Sequence, residues 1–126
     1  MRTLETPNAP RPAGHYSQAI VHDGLVFVAG QLPFDPKTTE KHVGTIEEQT
    51  EQALKNIAEI LKTAGSDLGH VLKTTVYISD ITLWGRVNTV YAKAFGEHRP
   101  ARAVVPIKEL HFGYQIEIEA IAAVKK

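Results

Sequence analysis

The sequence predicts a single α+β domain whose elements follow the order ββαβαββ. Its 126 residues suit one domain around one hydrophobic core. Two segments place apolar residues three and four positions apart, as amphipathic helices do, and the segments around them are rich in β-branched residues typical of strands. No repeat, linker or low-complexity tract divides the chain. Residues 1–126 are therefore expected to form one mixed sheet with two helices on one face.

The first part of the chain predicts an extended arm followed by a β-hairpin. Residues 2–15 contain three prolines and a glycine, which favour an extended arm over a helix. Residues 16–21 and 25–29 are strand-like, and the Asp23-Gly24 pair between them is a frequent hairpin turn. Gly30-Gln31 ends the second strand, and a loop containing prolines follows.

The first helix is predicted by its cap and by its apolar stripe. Thr45 and Glu48 have the spacing of a capping box, with Thr45 as the N-cap. Gly65 is expected to end the helix as its C-cap. The apolar stripe between these two points consists of Ala53, Leu54, Ile57, Ile60, Leu61 and Ala64.

The second half of the chain predicts three more strands and one more helix. Residues 71–78 are rich in β-branched side chains, and residues 101–105 and 116–122 are predicted strands joined by a loop over 106–114. A helix is expected over residues 82–95, ended by Gly96, with an apolar face formed by Trp84, Val87, Tyr91 and Phe95.

Two helices can cover only one face of such a sheet. The other face carries Glu117 and continues to the apolar side chains of Ile121 and Ala123. Apolar side chains on this face need cover, so we expect a symmetric oligomer to provide it.

Composition excludes several classes of function. Lys and Arg together number 14 and so do Asp and Glu, so the chain has no positive surplus to attract nucleic acid. The lack of cysteine excludes disulfides and thiolate chemistry. The six histidines lack metal-ligand spacing, so no metal is expected. No apolar stretch reaches the roughly 18 residues of a membrane span, so we expect a soluble, cytoplasmic protein.

The last two predicted strands carry polar residues at positions where polar groups are costly. Arg102 interrupts an apolar run, and Glu117 and Glu119 alternate with apolar side chains. Arginine grips a carboxylate with two parallel hydrogen bonds, although a structural salt bridge or a solvated strand end would also account for Arg102. If the two strands are neighbours in the core sheet, the arginine and a glutamate could bind a small carboxylate and act on its adjacent carbon.

These residues also carry a resemblance to a known family. Arg102 and Glu117 are fifteen residues apart, as they are in the RidA/YjgF family of enamine/imine deaminases. The chain resembles this family over nearly its whole length, in the motifs Asn8-Ala9-Pro10, Gly14-His15-Tyr16-Ser17-Gln18, Gly30-Gln31 with Pro33, Lys73-Thr74-Thr75-Val76, Val87-Asn88 with Tyr91, Pro100-Ala101-Arg102 and Ile116-Glu117-Ile118-Glu119-Ala120-Ile121-Ala122.

The resemblance implies a chorismate-mutase-like fold and a homotrimer with three clefts between subunits. It implies hydrolysis of 2-imino acids, in equilibrium with 2-enamino acids such as 2-aminoacrylate, to 2-keto acids and ammonia. These reactive compounds are by-products of pyridoxal-phosphate enzymes, and their removal protects other enzymes. The implied partners are a small 2-imino or 2-keto acid in each cleft and the other subunits, with no cofactor, metal, nucleic acid or membrane.

The resemblance also implies a role for each of six residues. Arg102 would clamp the substrate carboxylate, and Glu117 would polarise the attacking water and pass a proton to the departing nitrogen. The backbone of Gly30 and the N–H of Val104 would complete the ligand shell. Tyr16 would close the cleft from the neighbouring subunit, and Asn88 would border it.

Three departures from the family pattern keep other functions open. His15 and Ala29 stand where the family usually has proline and serine, and the loop over 106–114 contains His111, Phe112 and Tyr114. These loop residues are expected either to tune substrate size or to pack at the trimer interface. The alternatives are a sibling deaminase for a larger, aminomuconate-type enamine, and a non-enzymatic ligand sensor or RNA-acting protein.

Overall fold

A computed structural model of the chain describes residues 1–38, 40 and 42–126. The described residues form one six-stranded sheet, in the order β1-β2-β3-β6-β4-β5. Only the pair β4–β5 is parallel, and the other four neighbouring pairs are antiparallel, so the sheet is mixed as predicted. The strands are β1 (Arg2–Leu4), β2 (Ala19–His22), β3 (Leu25–Gln31), β4 (Val71–Ile78), β5 (Ala101–Pro106) and β6 (Ile116–Ala123).

The predicted order lacked one strand, which lies in the N-terminal arm. Strand β1 pairs antiparallel with β2 and buries Leu4. The prolines that favoured an irregular arm begin only at Pro7, after β1 has ended. Strand β2 begins at Ala19, three residues later than predicted, and β3 extends two residues further, to Gln31.

Both predicted helices are present. Helix α1 (Ile46–Thr63) has the capping box expected at Thr45 and Glu48, and all six residues of its apolar stripe are buried. Its C-cap is Ala64 rather than Gly65, which follows it. Helix α2 (Trp84–Phe95) begins two residues later than predicted, because a 3-10 turn (Ile81–Leu83) precedes it. Among the described residues, no helix combines the length and apolar character needed to cross a bilayer.

The two faces of the sheet differ in how they are covered. Alternate residues of β6, from Ile116 to Ala122, are buried in one core together with the apolar residues of α1 and α2. On the opposite face, Phe27 is 41% exposed, and its cross-strand neighbour Ile121 is half-buried. We call this second side the open face; its side chains are those of Phe27, Thr75, Tyr77, Glu119 and Ile121.

Candidate active site

Arg102 lies on the helix-covered face, at the edge strand β5. Its cross-strand neighbour Thr74 is buried in that face, and the Thr74 hydroxyl is 2.7 Å from the hydroxyl of Tyr91 on α2. Adjacent residues in register share a face, so the Arg102 side chain points beneath α2. There its Nη1 donates a hydrogen bond of 2.9 Å to the Asn88 Oδ1. Arg102 and Asn88, both predicted site residues, are therefore in contact.

Two aromatic rings complete the surroundings of Arg102. The guanidinium carbon is 4.7 Å from the ring centroid of Tyr91 and 5.5 Å from that of Trp84. Trp84, which the sequence assigned to the buried face of α2, is 42% exposed. Residues 84, 88 and 91 lie on one side of a helix, and this spacing was the available signal for their shared role. These partners are a neutral amide and two neutral rings, so none of them neutralises the positive charge of the guanidinium. The charge can therefore attract an anion.

The amide of Val104 points to the free edge of the sheet. The N–H of Ile107 donates to the carbonyl of Ile78 in β4, and amides of successive residues in a strand point to opposite sides. By this alternation the Val104 amide points away from β4. The sheet ends at β5, so this edge is open to a ligand, as the predicted backbone role requires.

Glu117 lies in a different cavity, on the face opposite Arg102. Its neighbours Ile116 and Ile118 are buried in the core, so the alternation of β6 directs Glu117 to the other side. The cavity has a volume of about 510 Å³ and also contains the predicted site residues Tyr16 and Gly30. Its other lining residues are Pro10, Arg11, Ala13, Gly14, Gln18, Ala29, Gln31, Leu32, Phe34, His111 and Phe112.

Gly30 allows the Glu117 carboxylate to occupy this position. A Cβ atom at residue 30 would lie 2.6 Å from the Oε1 of Glu117 and 2.9 Å from its Cδ. The pairing of β3 with β6 shifts register between Val28 and Gln31, which places Gly30 at an irregularity opposite Glu119, with the side chain of Glu117 beside it. The sequence indicated a backbone role for Gly30, and the structure adds that any side chain there would displace the carboxylate.

The pKa of Glu117 is raised above the usual range for glutamate. Burial is the main cause and the nearby carboxylate of Glu119 adds to it, whereas His111 lowers the pKa. Glu119 itself accepts a 2.8 Å hydrogen bond from the hydroxyl of Tyr77, and it lines a separate cavity on the open face. Spacing alone did not separate the two glutamates. The structure does, because only Glu117 lies in the cavity of Tyr16 and Gly30.

The N-terminal arm positions Tyr16 at this cavity. The buried side chain of Gln18 accepts a hydrogen bond from the N–H of Thr6 and donates to the carbonyls of Thr6 and Pro10, at 2.7, 3.0 and 2.9 Å. These bonds fix the arm against the sheet. The ring of Tyr16 is 51% exposed, and its hydroxyl accepts a 3.2 Å hydrogen bond from the N–H of Ala13. Tyr16 is thus held at the mouth of the cavity with surface available for a further contact.

The loop over 106–114 sends its aromatic residues in two directions. His111 and Phe112 line the Glu117 cavity. Tyr114 is buried instead, with its ring 5.1 Å from that of Phe34. Two of the three aromatic residues noted in this loop therefore line the cavity that contains Glu117.

Within one chain the predicted site divides into two half-sites. Arg102 and Glu117 were expected on neighbouring strands, which is wrong, because β4 lies between β5 and β6 and the two side chains are on opposite faces. We call one group the arginine half-site, consisting of Trp84, Asn88, Tyr91 and Arg102. The other is the glutamate half-site, consisting of Tyr16, Gly30, His111, Phe112 and Glu117.

Comparison with known proteins identifies the family to which the chain belongs. The sequence profile of the family described as Endoribonuclease L-PSP matches residues 6–124. A RutC family protein of Pyrococcus horikoshii is 50% identical over 117 residues, covering 93% of each chain. A 2-iminobutanoate/2-iminopropanoate deaminase of Rattus norvegicus is 44% identical over 121 residues, covering 96% of this chain and 88% of the relative.

The fold of the chain is also similar to the folds of solved relatives. The crystal structure of RidA from an Antarctic Psychrobacter bacterium superposes with a TM-score of 0.93 at 37% identity, covering 98% of this chain and 100% of that one. The matched profile spans nearly the whole chain and includes both half-sites. From its sequence and its fold together, the chain belongs to the RidA/YjgF family, also described as the endoribonuclease L-PSP family.

Proposed function

We propose that this protein hydrolyses 2-imino acids, 2-iminobutanoate and 2-iminopropanoate among them, to 2-keto acids and ammonia. The observation that carries the proposal is the pair of half-sites. One presents a guanidinium that keeps its charge, and the other presents a carboxyl group whose raised pKa suits proton transfer. The deaminase name of the rat relative supports the same reaction. Enamines such as 2-aminoacrylate would be consumed through their imine tautomers.

The two half-sites meet across subunits in the assembly that we propose. Arg102 and Glu117 lie on opposite faces of one sheet, so one substrate reaches both only if they come from different copies of the chain. The partly exposed apolar side chains of the open face favour such contacts. The resemblance implies a trimer, and a head-to-tail contact of this kind closes into a ring of three identical clefts.

In this cleft the residues divide the chemistry between them. Arg102 binds the substrate carboxylate, assisted by the amide of Val104, and so fixes the imine carbon. Ionised Glu117 takes a proton from a water molecule as the water oxygen bonds to the carbon of the protonated imine, which gives a carbinolamine. Protonated Glu117 then passes this proton to the amino nitrogen. The C–N bond breaks and ammonia leaves, and the hydroxyl proton passes to the Glu117 carboxylate as the keto group forms. Ammonia or solvent takes up that proton, which leaves Glu117 ionised again.

The description of the family as endoribonuclease suggests RNA as another substrate. The chain has a formal net charge of zero, which offers no general attraction for a polyanion. The half-sites instead combine one cation and one carboxyl group at a scale that suits a small carboxylic acid. The specific residues therefore favour the deaminase.

A mixing experiment tests the function and the assembly together. Arg102→Ala should raise KM steeply, and Glu117→Gln should lower kcat by about 10²–10⁴-fold with little change in binding of the product keto acid. The rate would be measured as keto-acid and ammonia release from an imine generated in situ.

Mixed oligomers of the two variants should then regain activity. If the two residues of a cleft come from different subunits, random mixing restores both residues in about one cleft in four. The expected result is about a quarter of wild-type activity after the variants are refolded together. Activity that stays absent in the mixture would contradict the shared cleft, and wild-type rates in either variant alone would contradict the mechanism.

A further inference from the structure

Three rings form one side of the Glu117 cavity. Phe112 stands edge-on to Phe34 with ring centroids 5.0 Å apart, and His111 stands edge-on to Phe112 at 5.6 Å. All three side chains line the cavity that contains Glu117. We call these three residues, Phe34, His111 and Phe112, the aromatic wall.

The turn that carries His111 and Phe112 of this wall is held in an unfavourable conformation. Phe112 has φ of 65°, in the left-handed region that a bulky residue rarely adopts, and Gly113 follows it with φ of 77°. Such conformations persist where the surrounding structure compensates, and they concentrate at ligand sites. Here the edge-on contacts with Phe34 and His111 supply part of the compensation. The turn keeps the Phe112 ring at the cavity, where it is 46% exposed.

In the single chain, before a second copy adds its arginine half-site, the cavity is larger than a small imino acid needs. Cavities of about 300 Å³ and more accommodate ligands much larger than a two- or three-carbon side chain. The Glu117 cavity has about 510 Å³ in the single chain. Part of its lining is polar, at Glu117 and Arg11, but the wall offers ring faces and edges that favour apolar or aromatic groups.

The chemistry of the substrate determines which group would meet the wall. An imine carbon has three substituents, which are the nitrogen, the carboxylate and the side chain. The carboxylate is directed to Arg102, and the nitrogen must stay within reach of Glu117 to receive its proton. The side chain is the remaining group, and it extends from a carbon located beside Glu117. The aromatic wall borders the same space.

We propose that the aromatic wall binds the side chain of an aromatic or long apolar 2-imino acid, so that Phe34, His111 and Phe112 determine side-chain specificity. This inference rests on the proposed deaminase function. It assigns the substrate class of the same site, and it differs from the short-chain substrates in the name of the rat relative. The reactions that supply this substrate would be those that oxidise the α-amine of aromatic or long apolar amino acids to the imine, with flavin or O₂ as the oxidant.

The first test compares two substrates on the unaltered protein. L-amino-acid oxidase with catalase converts phenylalanine to 2-imino-3-phenylpropanoate and alanine to 2-iminopropanoate, and semicarbazide traps the imine that remains. The wild-type protein is expected to have a kcat/KM for the phenyl imine at least equal to that for 2-iminopropanoate. A tenfold or larger preference for the small imine would overturn the inference.

The second test removes the central ring of the wall. The measured quantity is the ratio of kcat/KM for the phenyl imine to kcat/KM for 2-iminopropanoate. Phe112→Ala should lower this ratio about tenfold, since apolar contacts of this size discriminate between substrates by about that factor. Phe112→Leu, which keeps apolar volume, should lower the ratio less. Leu72→Ala removes an exposed apolar side chain of β4 outside both half-sites and should leave the ratio unchanged.

The outcomes separate this inference from the proposed function. If Phe112→Ala lowers both rates by the same factor, or dissociates the oligomer in sedimentation, Phe112 acts as a packing residue and the inference fails while the deaminase function stands. If the wild-type protein hydrolyses neither imine faster than water does, both fail. A ratio that falls only for the Phe112 variants supports the aromatic wall as the specificity site.

Discussion

The arginine half-site and the glutamate half-site place their charged groups in different environments. In the arginine half-site the side chains of Arg102 and Tyr91 both have hydrogen-bond partners within the chain. Arg102 bonds to Asn88 and stacks on two rings, and the hydroxyl of Tyr91 bonds to Thr74. In the glutamate half-site, Glu117 is half-buried beside a second carboxylate, and both effects raise its pKa. Tyr16 beside it is half-exposed at the cavity mouth.

This difference shows how one fold supplies two kinds of functional group. A group that binds an anion works best when it is rigid and not already paired with a carboxylate, and Asn88 and Tyr91 of α2 hold Arg102 through neutral contacts. A group that moves protons works best when neither protonation state is strongly favoured, and this requires an environment in which its charge is costly. The covered face provides the first environment, and the opposite face provides the second.

The largest effect is expected from a charge placed on the open face. If the proposed oligomer covers this face, Phe27→Asp should abolish its assembly and lower activity more than about 100-fold, because an unpaired carboxylate would be buried between subunits at a cost of several kcal/mol. The fold of the chain should persist, since Phe27 is already 41% exposed. Sedimentation would give the oligomeric state, and circular dichroism would follow the fold.

Ile81→Asp provides the control for this change. Ile81 is an exposed apolar residue in the 3-10 turn before α2, away from the open face. The charge there should alter neither assembly nor rate. If Phe27→Asp remains an active oligomer, other subunits do not cover the open face. The contrast between the helix-covered face and the open face would then be wrong.

A smaller and more local effect is expected from a methyl group at Gly30. In Gly30→Ala the new Cβ would lie 2.6 Å from the Oε1 of Glu117, so the carboxylate must move away from its position. We expect kcat to fall about 100-fold, within the range attributed to a positioned acid–base group. KM should change little, because Arg102 is untouched. Steady-state kinetics with 2-iminopropanoate would separate the two parameters.

Gly85→Ala is the matched control on α2, outside both half-sites. Gly85 lies in α2, and a Cβ there meets no atom within 4 Å. This change should leave kcat/KM unaltered and raise the free energy of unfolding by about 0.5–1 kcal/mol, as alanine does in helices. The double variant Gly30→Ala/Glu117→Gln should be no slower than Glu117→Gln alone. A further loss in the double variant would mean that Gly30 acts independently of Glu117.

The sequence was a good guide to elements and a poor guide to their arrangement. Helix α1 and strand β4 were predicted almost to the residue, because a capping box and a run of β-branched side chains are local signals. Strand β1 was missed, since three residues at a sheet edge carry no periodic pattern. The two faces occupied by Arg102 and Glu117 depend on strand order and register, which local patterns do not determine.

The same limit applied to the details of the site. The family resemblance supplied Arg102, Glu117 and Gly30 as residues, but the rings that surround Arg102 required the packing of α2 on β5. The direction of the loop over 106–114 also lay beyond local reasoning, because it depends on the positive φ of Phe112. Contacts between elements far apart in the chain were therefore the part that only the structure supplied.

The smallest effect that we predict concerns stability, and it tests whether the charge of Glu117 is costly. Burial raises the pKa of Glu117 in the folded protein, so its ionisation weakens the folded state as pH rises from the usual glutamate range through the raised pKa. Glu117→Gln removes that charge. The variant should therefore be more stable than the wild type at pH 8, by about 1 kcal/mol or less because the group is only half-buried.

The gain should disappear at acidic pH, where the wild-type carboxyl is protonated in the folded and unfolded states alike. Unfolding in urea, at one subunit concentration and at several pH values, would measure it. Glu119→Gln is the control, because that carboxylate accepts a hydrogen bond from Tyr77 and its replacement should bring no comparable gain. A variant at residue 117 that is less stable than the wild type at pH 8 would show that the ionised carboxylate is well accommodated. The glutamate half-site would then accommodate its charge as the arginine half-site does, and the contrast between the two half-sites would be wrong.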